Sequence, residues 1–98
     1  MEHPLRKLLA DDEITRGLAA LDGWVRDGAA IRRAFTFQAF MDAIAFVNRV
    51  AALAEAADHH PDIDIRYTRV VLTLSTHSAG GITRKDLELA AGIDALAG

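Results

Sequence analysis

The spacing of apolar residues changes in the middle of the chain, and this change constrains the fold more than any other feature. From Ile31 to Phe37, apolar and polar side chains largely alternate, which predicts a strand with one apolar face. From Gln38 to about Ala57 the period becomes helical, which predicts one long helix packed on a sheet. The predicted packing stripe of this helix contains Phe40, Ile44, Val47, Ala51 and Ala54, widened by Val50 and Leu53.

Shorter signals predict further elements on both sides of this strand and helix. Asp11 is expected to cap a first helix that ends near Asp22-Gly23, and Asp27-Gly28 is a strong signal for a hairpin turn. The segment 63–76 is strand-like, but its apolar residues shift from odd to even positions. A bulge or break near Thr68-Arg69 would keep both apolar sets on one face of the sheet.

The order of these elements predicts a single α+β domain. A last helix, capped by Thr83 with Asp86 at its third position, completes the order α-β-β-α-β-β-α over residues 1–98. This order favours an antiparallel sheet whose helices cover one face. A domain of this size leaves its sheet edges bare, and bare edges favour pairing with a second copy of the chain.

Composition and charge argue against several classes of function. With 51% hydrophobic and 26% charged residues, the chain is typical of an ordinary globular protein. A net charge of -3 and scattered basic residues argue against nucleic acid as the main partner. The lack of cysteine excludes disulfides, thiolate catalysis and cysteine-zinc sites, and it fits a reducing cytoplasm. The sequence predicts neither a signal peptide nor a membrane span.

Three of the four histidines lie at the ends of predicted elements and are the candidates for chemistry. His59 and His60 follow the long helix, and His77 follows the strand-like segment. Histidine titrates near neutral pH, which suits metal-free proton transfer on a small molecule. Two other interpretations stay open: surface histidines, with His59 interacting with the helix dipole, or a three-histidine zinc site completed by water.

Other polar and aromatic residues near these histidines have structural interpretations. Asp86 is explained by its capping position. Glu55, one helical turn before the paired histidines, either orients the first imidazole or is a solvated carboxylate. Tyr67, in the strand-like segment, is expected to pack and not to take part in chemistry, and Trp24 is expected to lie in the core or on an inert surface. His3, near the terminus, is expected to have no role.

The histidine pattern and its flanking segments resemble the pterin-4a-carbinolamine dehydratase family. The signature is Glu55-x-x-x-His59-His60-Pro61, then Tyr67, His77 and Asp86, and its spacings agree with the family pattern. Further matching segments are Gly23-Trp24, Phe35-x-Phe37-x-x-Phe40, Leu74-Ser-Thr-His77, Gly81-Ile-Thr83 and Asp86-Leu-x-Leu-Ala90. The resemblance covers nearly the whole chain, from the first helix to the last.

The resemblance implies a fold, an activity and a set of site residues. It implies a four-stranded sheet with three helices, a homodimer or homotetramer, and dehydration of 4a-hydroxytetrahydropterins to quinonoid dihydropterins without metal or cofactor. It implies His59 and His77 as proton donors to the leaving hydroxyl, and His60 as the residue that orients the pterin. The substrate contacts that it implies are Glu55, Asp58, Ser75, Thr76 and Ser78.

A second class of function within the resemblance is a non-catalytic dimerisation or assembly cofactor. Degenerate relatives generally lack part of the histidine set, and this chain has all of it, which favours the enzyme. Two positions depart from the family pattern. Ala79 stands where some animal members have a cysteine, which excludes a thiol role, and Lys85 stands where arginine is frequent. Neither difference is expected to abolish dehydration.

Overall fold

The computed structural model describes residues 7–97, which contain the seven elements that the sequence predicts, in the predicted order. These elements are α1 (Asp11–Ala19), β1 (Val25–Asp27), β2 (Ala30–Thr36), α2 (Phe40–Ala57), β3 (Asp62–Arg66), β4 (Arg69–Leu74) and α3 (Arg84–Ala97). His3 lies outside the described residues. None of the helices in the described part of the chain is long and apolar enough to cross a membrane.

The four strands form one antiparallel sheet in the order β1-β2-β4-β3, joined by two hairpins and the long helix. The predicted Asp27-Gly28 turn connects β1 to β2, and the glycine has a positive φ of 60°. The break expected within 63–76 is a second hairpin, whose turn is Tyr67-Thr68. Because Ile63 lies opposite Leu72, the apolar residues of β3 and β4 share one face, as expected.

The helices cover the face of the sheet on which β2 and β4 are buried. The largest fully buried side chains of the core are Phe46, Ile31, Leu72, Leu74, Ile93, Val50 and Val70. Trp24 belongs to this core, since it is 4% exposed. Its indole Nε1 donates a hydrogen bond of 2.8 Å to Asp94 Oδ1 and thereby links the first hairpin to α3.

The helix α2 packs through a stripe that only partly matches the predicted one: Val50 and Ala54 are buried as predicted, and Val47 and Leu53 pack against the core. Phe40 and Ala51, which belong to the predicted stripe, are exposed. The reason is that α2 is apolar on most of its circumference, so that periodicity alone does not determine which side faces the sheet. The residues of α2 that are buried are Ala43, Phe46, Val50 and Ala54.

Two local predictions are wrong: the residue that caps α1 and the position of Tyr67 within a strand. The cap of α1 is Ala10, whose backbone N–H donates to Glu13 Oε1 at 3.0 Å, and Asp11 is the first helical residue. Tyr67 does not pack within a strand, because it occupies the tip of the second hairpin with φ of 53° and is 73% exposed. Its ring instead stacks on Phe40, with 6.4 Å between the ring centroids.

Candidate functional site

The end of α2, which positions His59 and His60, is closed by a residue with left-handed backbone geometry. Asp58 has φ of 50° and ψ of 44°, its N–H bonds to the carbonyl of Glu55, and the N–H of His59 bonds to the carbonyl of Ala54. These two hydrogen bonds define a Schellman motif, in which the left-handed residue is usually glycine. An L-residue costs about 1–2 kcal/mol there. Such strain is concentrated at functional sites.

The second hairpin brings the end of α2 to the segment that follows β4. Asp62, the first residue of β3, pairs with Thr73 near the end of β4. In an antiparallel pair, the residues before the first strand therefore lie beside the residues after the second. A short 3-10 turn, His77–Ala79, then redirects the chain, and Gly80 closes this turn with φ of 77°. The predicted proximity of the two histidine-bearing ends thus follows from the register of the hairpin.

A cavity of about 360 Å³ lies between these two segments. Its walls are Asp58, His59, His60, Pro61, Asp62, Ser75, Thr76, His77, Ser78 and Lys85. All three candidate histidines border the cavity, together with every predicted substrate contact except Glu55. Asp62 and Lys85 also border the cavity and are not among the predicted site residues.

His59 contacts a buried carboxylate through one of its ring nitrogens. His59 is 8% exposed. Its Nε2 lies 2.5 Å from Oδ1 of Asp86, which is fully buried. The other carboxylate oxygen, Oδ2, accepts hydrogen bonds from Thr83 N–H and from Thr76 Oγ1, both at 2.9 Å. The predicted capping contact between Thr83 and Asp86 is therefore present, but the predicted restriction of Asp86 to capping is wrong.

Glu55 contacts the other histidine of the pair. Its Oε1 lies 2.7 Å from His60 Nε2, and the two side chains are 81% and 58% exposed. The interpretation in which Glu55 orients His59 is wrong, because the left-handed turn at Asp58 directs His59 into the protein and His60 towards the helix surface. An ion pair this exposed contributes little to stability, so the contact mainly restricts the imidazole of His60.

Lys85 adds a cation to the rim of the cavity. Its Nζ lies 3.5 Å from the backbone carbonyl oxygen of Asp58, so that it spans the opening between α3 and the end of α2. The same side chain borders an adjacent apolar groove of about 290 Å³ between α2 and α3. The sequence signal for this residue is its place directly before Asp86, which fixes it on the first turn of α3.

Two of the three candidate zinc ligands have one ring nitrogen in contact with a carboxylate. The Nε2 atoms of His59 and His60 each contact a carboxylate oxygen. Within residues 7–97, no group of three or more His, Cys, Asp or Glu side chains is arranged to hold a metal ion. The zinc interpretation therefore has no supporting geometry in this part of the chain.

A family model described as pterin 4 alpha carbinolamine dehydratase matches residues 7–96. The chain belongs to this family. Two relatives that are provisionally named pterin-4-alpha-carbinolamine dehydratases, from Mycobacteroides abscessus and Roseiflexus castenholzii, are each 60% identical over 87 residues. These alignments cover 89% of this chain and 93% and 94% of the two relatives.

Solved structures of related proteins share the fold of this family member. A transcriptional coactivator/pterin dehydratase from Brucella melitensis is 41% identical, with a TM-score of 0.88. The match covers 92% of this chain and 98% of that protein. A pterin dehydratase-like protein identified as a RuBisCO assembly factor in the alpha-carboxysome is 30% identical, with a TM-score of 0.67. That match covers 78% of this chain and 90% of the assembly factor.

Proposed function

We propose that this protein dehydrates a 4a-hydroxytetrahydropterin to the quinonoid dihydropterin and water, a step of tetrahydropterin recycling. The observation that carries the proposal is a single cavity bordered by three histidines, one of which is fixed by a buried carboxylate. Membership of the pterin-4a-carbinolamine dehydratase family supports the choice of substrate.

The proposed reaction requires two proton movements and no transfer of electrons to a cofactor. The bond between C4a and the hydroxyl oxygen breaks, N5 loses its proton, and the N5 electron pair forms the new double bond to C4a. Since hydroxide is a poor leaving group, an acid has to protonate it as it departs. His59 and His77 are the proposed acids, and His60 orients the ring. Positioned acid–base groups of this kind contribute about 100- to 10,000-fold in rate.

The polar groups around the cavity match the hydrogen-bonding edge of a pterin. N3–H and the 2-amino group are donors, for which the carboxylates of Asp58 and Asp62 are the proposed acceptors. The C4 carbonyl oxygen is an acceptor, and Lys85 Nζ is its proposed donor. Ser75 and Ser78 supply hydroxyl contacts in this arrangement. A crystal structure with a bound dihydropterin checks these contacts, and a ring bound outside the cavity would contradict them.

Two of the implied substrate contacts are given different roles in this proposal. Thr76 borders the cavity, but its hydroxyl is already engaged by Asp86 and by Thr83 Oγ1 at 2.9 and 2.7 Å. Its proposed role is therefore to support the site. Glu55 acts only through His60, which it contacts.

Assembly cofactor is the second candidate function, and the names of the structural relatives favour it. One of these proteins is titled a transcriptional coactivator/pterin dehydratase and the other a RuBisCO assembly factor. The histidine-lined cavity is the feature that favours catalysis for this chain, since a purely scaffolding role does not require it. A direct assay of dehydration separates the two candidates.

The wild-type protein is expected to accelerate the decay of 4a-hydroxytetrahydropterin clearly above its rate in buffer, because the cavity supplies positioned proton donors. The decay is followed by ultraviolet absorbance with each C4a stereoisomer in turn. His77→Asn is expected to slow the decay of at least one stereoisomer. Wild-type and buffer rates that coincide would contradict the dehydratase proposal and leave the assembly role.

The edge strand β3 supports a homodimer as the proposed assembly. Ile63 and Ile65 are 38% and 37% exposed on the helix-covered side of the sheet, and the outer hydrogen-bonding edge of β3 pairs with no strand of the described chain. Two antiparallel copies of β3 that meet at Ile65 would place Asp64 of each copy opposite Arg66 of the other. This register joins apolar side chains on one face and opposite charges on the other.

Ile65→Lys is therefore expected to convert a dimer into a monomer, because it places two like charges at the centre of the interface. Sedimentation velocity at micromolar concentration measures the change. Val25→Lys is the matched control, since Val25 is 50% exposed on β1 at the opposite edge of the sheet. A monomeric wild type, or dissociation by the Val25 variant alone, would contradict pairing through β3.

A further inference from the structure

Asp86 forms more hydrogen bonds than its capping position requires. Its Oδ2 accepts from Thr83 N–H, as a capping residue at the start of α3 should, and also from Thr76 Oγ1. Among residues 7–97, the one hydrogen-bond partner of its Oδ1 is the Nε2 of His59. Asp86 is fully buried and connects three segments of chain: the end of α2, the end of β4 and the start of α3. Capping explains the hydrogen bond that Oδ2 accepts from Thr83 N–H, but it does not explain the contact of Oδ1 with His59.

The direction of each hydrogen bond in this cluster can be assigned from the groups involved. Lys85 N–H donates to Thr83 Oγ1 at 3.2 Å, and a carboxylate accepts hydrogen bonds without donating any. Thr76 therefore donates its hydroxyl proton to Asp86, and Thr83 donates its own to Thr76. By the same argument His59 donates its Nε2 proton to Asp86. Every donor in the cluster then has an acceptor.

The second ring nitrogen of His59 has no hydrogen-bond partner among the described residues. No buried side-chain nitrogen or oxygen atom in residues 7–97 is left without a partner, so Nδ1 reaches accessible surface. His59 borders the site cavity and the adjacent groove. With Nε2 committed to Asp86, Nδ1 is the ring atom that remains free to exchange a proton.

We propose that Asp86 is a positioning residue that fixes His59 in the tautomer with its proton on Nε2, so that Nδ1 exchanges protons with the substrate. This proposal rests on the proposed dehydratase function. In the fixed tautomer, a neutral His59 accepts a proton at Nδ1, and the resulting imidazolium returns a proton from the same atom. One ring atom thereby serves both as base and as acid, without reorientation of the ring.

Asp86→Asn is the variant that tests the tautomer, because an amide has one acceptor oxygen and one donor nitrogen. The backbone N–H of Thr83 can only donate, so the amide oxygen has to remain on that side. The amide nitrogen then faces His59 Nε2, which has to become an acceptor. The neutral ring is consequently expected to carry its proton on Nδ1, with the helix cap intact.

Nitrogen-15 NMR of histidine-labelled protein, at a pH where the rings are neutral, measures this reversal directly. Wild type is expected to show the Nε2–H tautomer for His59 and Asp86→Asn the Nδ1–H tautomer. The variant is also expected to lose about 100- to 10,000-fold in kcat with a smaller change in KM. Asp94→Asn is the matched control, because Asp94 lies in the same helix but contacts Trp24 and Arg33. This variant is expected to change neither the tautomer of His59 nor kcat.

The tautomer measurement separates this proposal from the proposed function, because it requires no turnover. An Nδ1–H tautomer in wild type would overturn the positioning role, and so would an unchanged tautomer in Asp86→Asn. A reversed tautomer with unchanged kcat would also overturn it, since the ring would then not act through Nδ1. If the wild-type protein has the expected tautomer but no dehydratase activity, the proposed function fails, and with it the proposed proton exchange between Nδ1 and the substrate.

Discussion

Replacement of His59 by glutamine is expected to lower kcat for 4a-hydroxytetrahydropterin dehydration by about 100- to 10,000-fold. The side-chain amide of glutamine can donate to Asp86 Oδ1 from about the position of His59 Nε2, so the buried carboxylate retains its partner. An amide neither takes nor gives a proton at neutral pH. The variant therefore removes proton transfer from the site while it retains the hydrogen bond that supports the fold.

His60→Gln is the comparison variant, because His60 is proposed to orient the substrate and not to transfer a proton. The side chain of His60 is 58% exposed and its Nε2 contacts Glu55, so the variant is expected to raise KM more than it lowers kcat. Steady-state rates over a range of substrate concentrations separate the two effects. If His59→Gln lost less than about tenfold in kcat, the loss would fall below the usual contribution of a positioned acid or base and His59 would not be one.

The meeting of the histidine-bearing segments could have been predicted more sharply from the sequence. The shift from odd to even apolar positions marks the place where one strand becomes two, and a two-residue turn at Tyr67-Thr68 fixes the register of the pair. In that register Asp62 pairs with Thr73, so the residues before Asp62 approach those after β4. A bulge and a hairpin both explain the shift from odd to even apolar positions. Only the hairpin places the segment with His59 and His60 beside the segment with His77.

The partner of His59 could not be read from local spacing. Glu55 is one helical turn away, which favours it in any argument from periodicity, whereas Asp86 lies 27 residues further along the chain. The choice between them depends on the left-handed conformation of Asp58, which ends α2 just before His59. Aspartate visits that conformation more readily than most residues, but its presence does not predict it. The sequence therefore indicated which residues border the cavity, but it indicated Glu55 and not Asp86 as the partner of His59.

Periodicity also predicted the side of α2 that faces the sheet only in part, since it included Val50 and Ala54 but not Phe46. Apolar residues surround most of this helix, and the sheet selects the side whose shapes fit its own side chains. The fit is between aromatic rings: Phe46 lies 4.8 Å from Phe35 and 5.1 Å from Phe37, measured between ring centroids. A prediction from hydrophobicity alone gives Phe40 and Phe46 equal weight, although only Phe46 is buried.

Phe46→Ala is accordingly expected to destabilise the protein by about 3–5 kcal/mol, the range for loss of a fully buried aromatic side chain. This is a large part of the 5–15 kcal/mol that is typical for a domain, so the urea midpoint should fall steeply. Phe40→Ala removes the same ring from a position that is 44% exposed and should cost about 1 kcal/mol or less. Urea unfolding of both variants at one protein concentration measures the difference. Equal losses in the two variants would contradict the burial of Phe46, and the exposure of Phe40, in the folded protein.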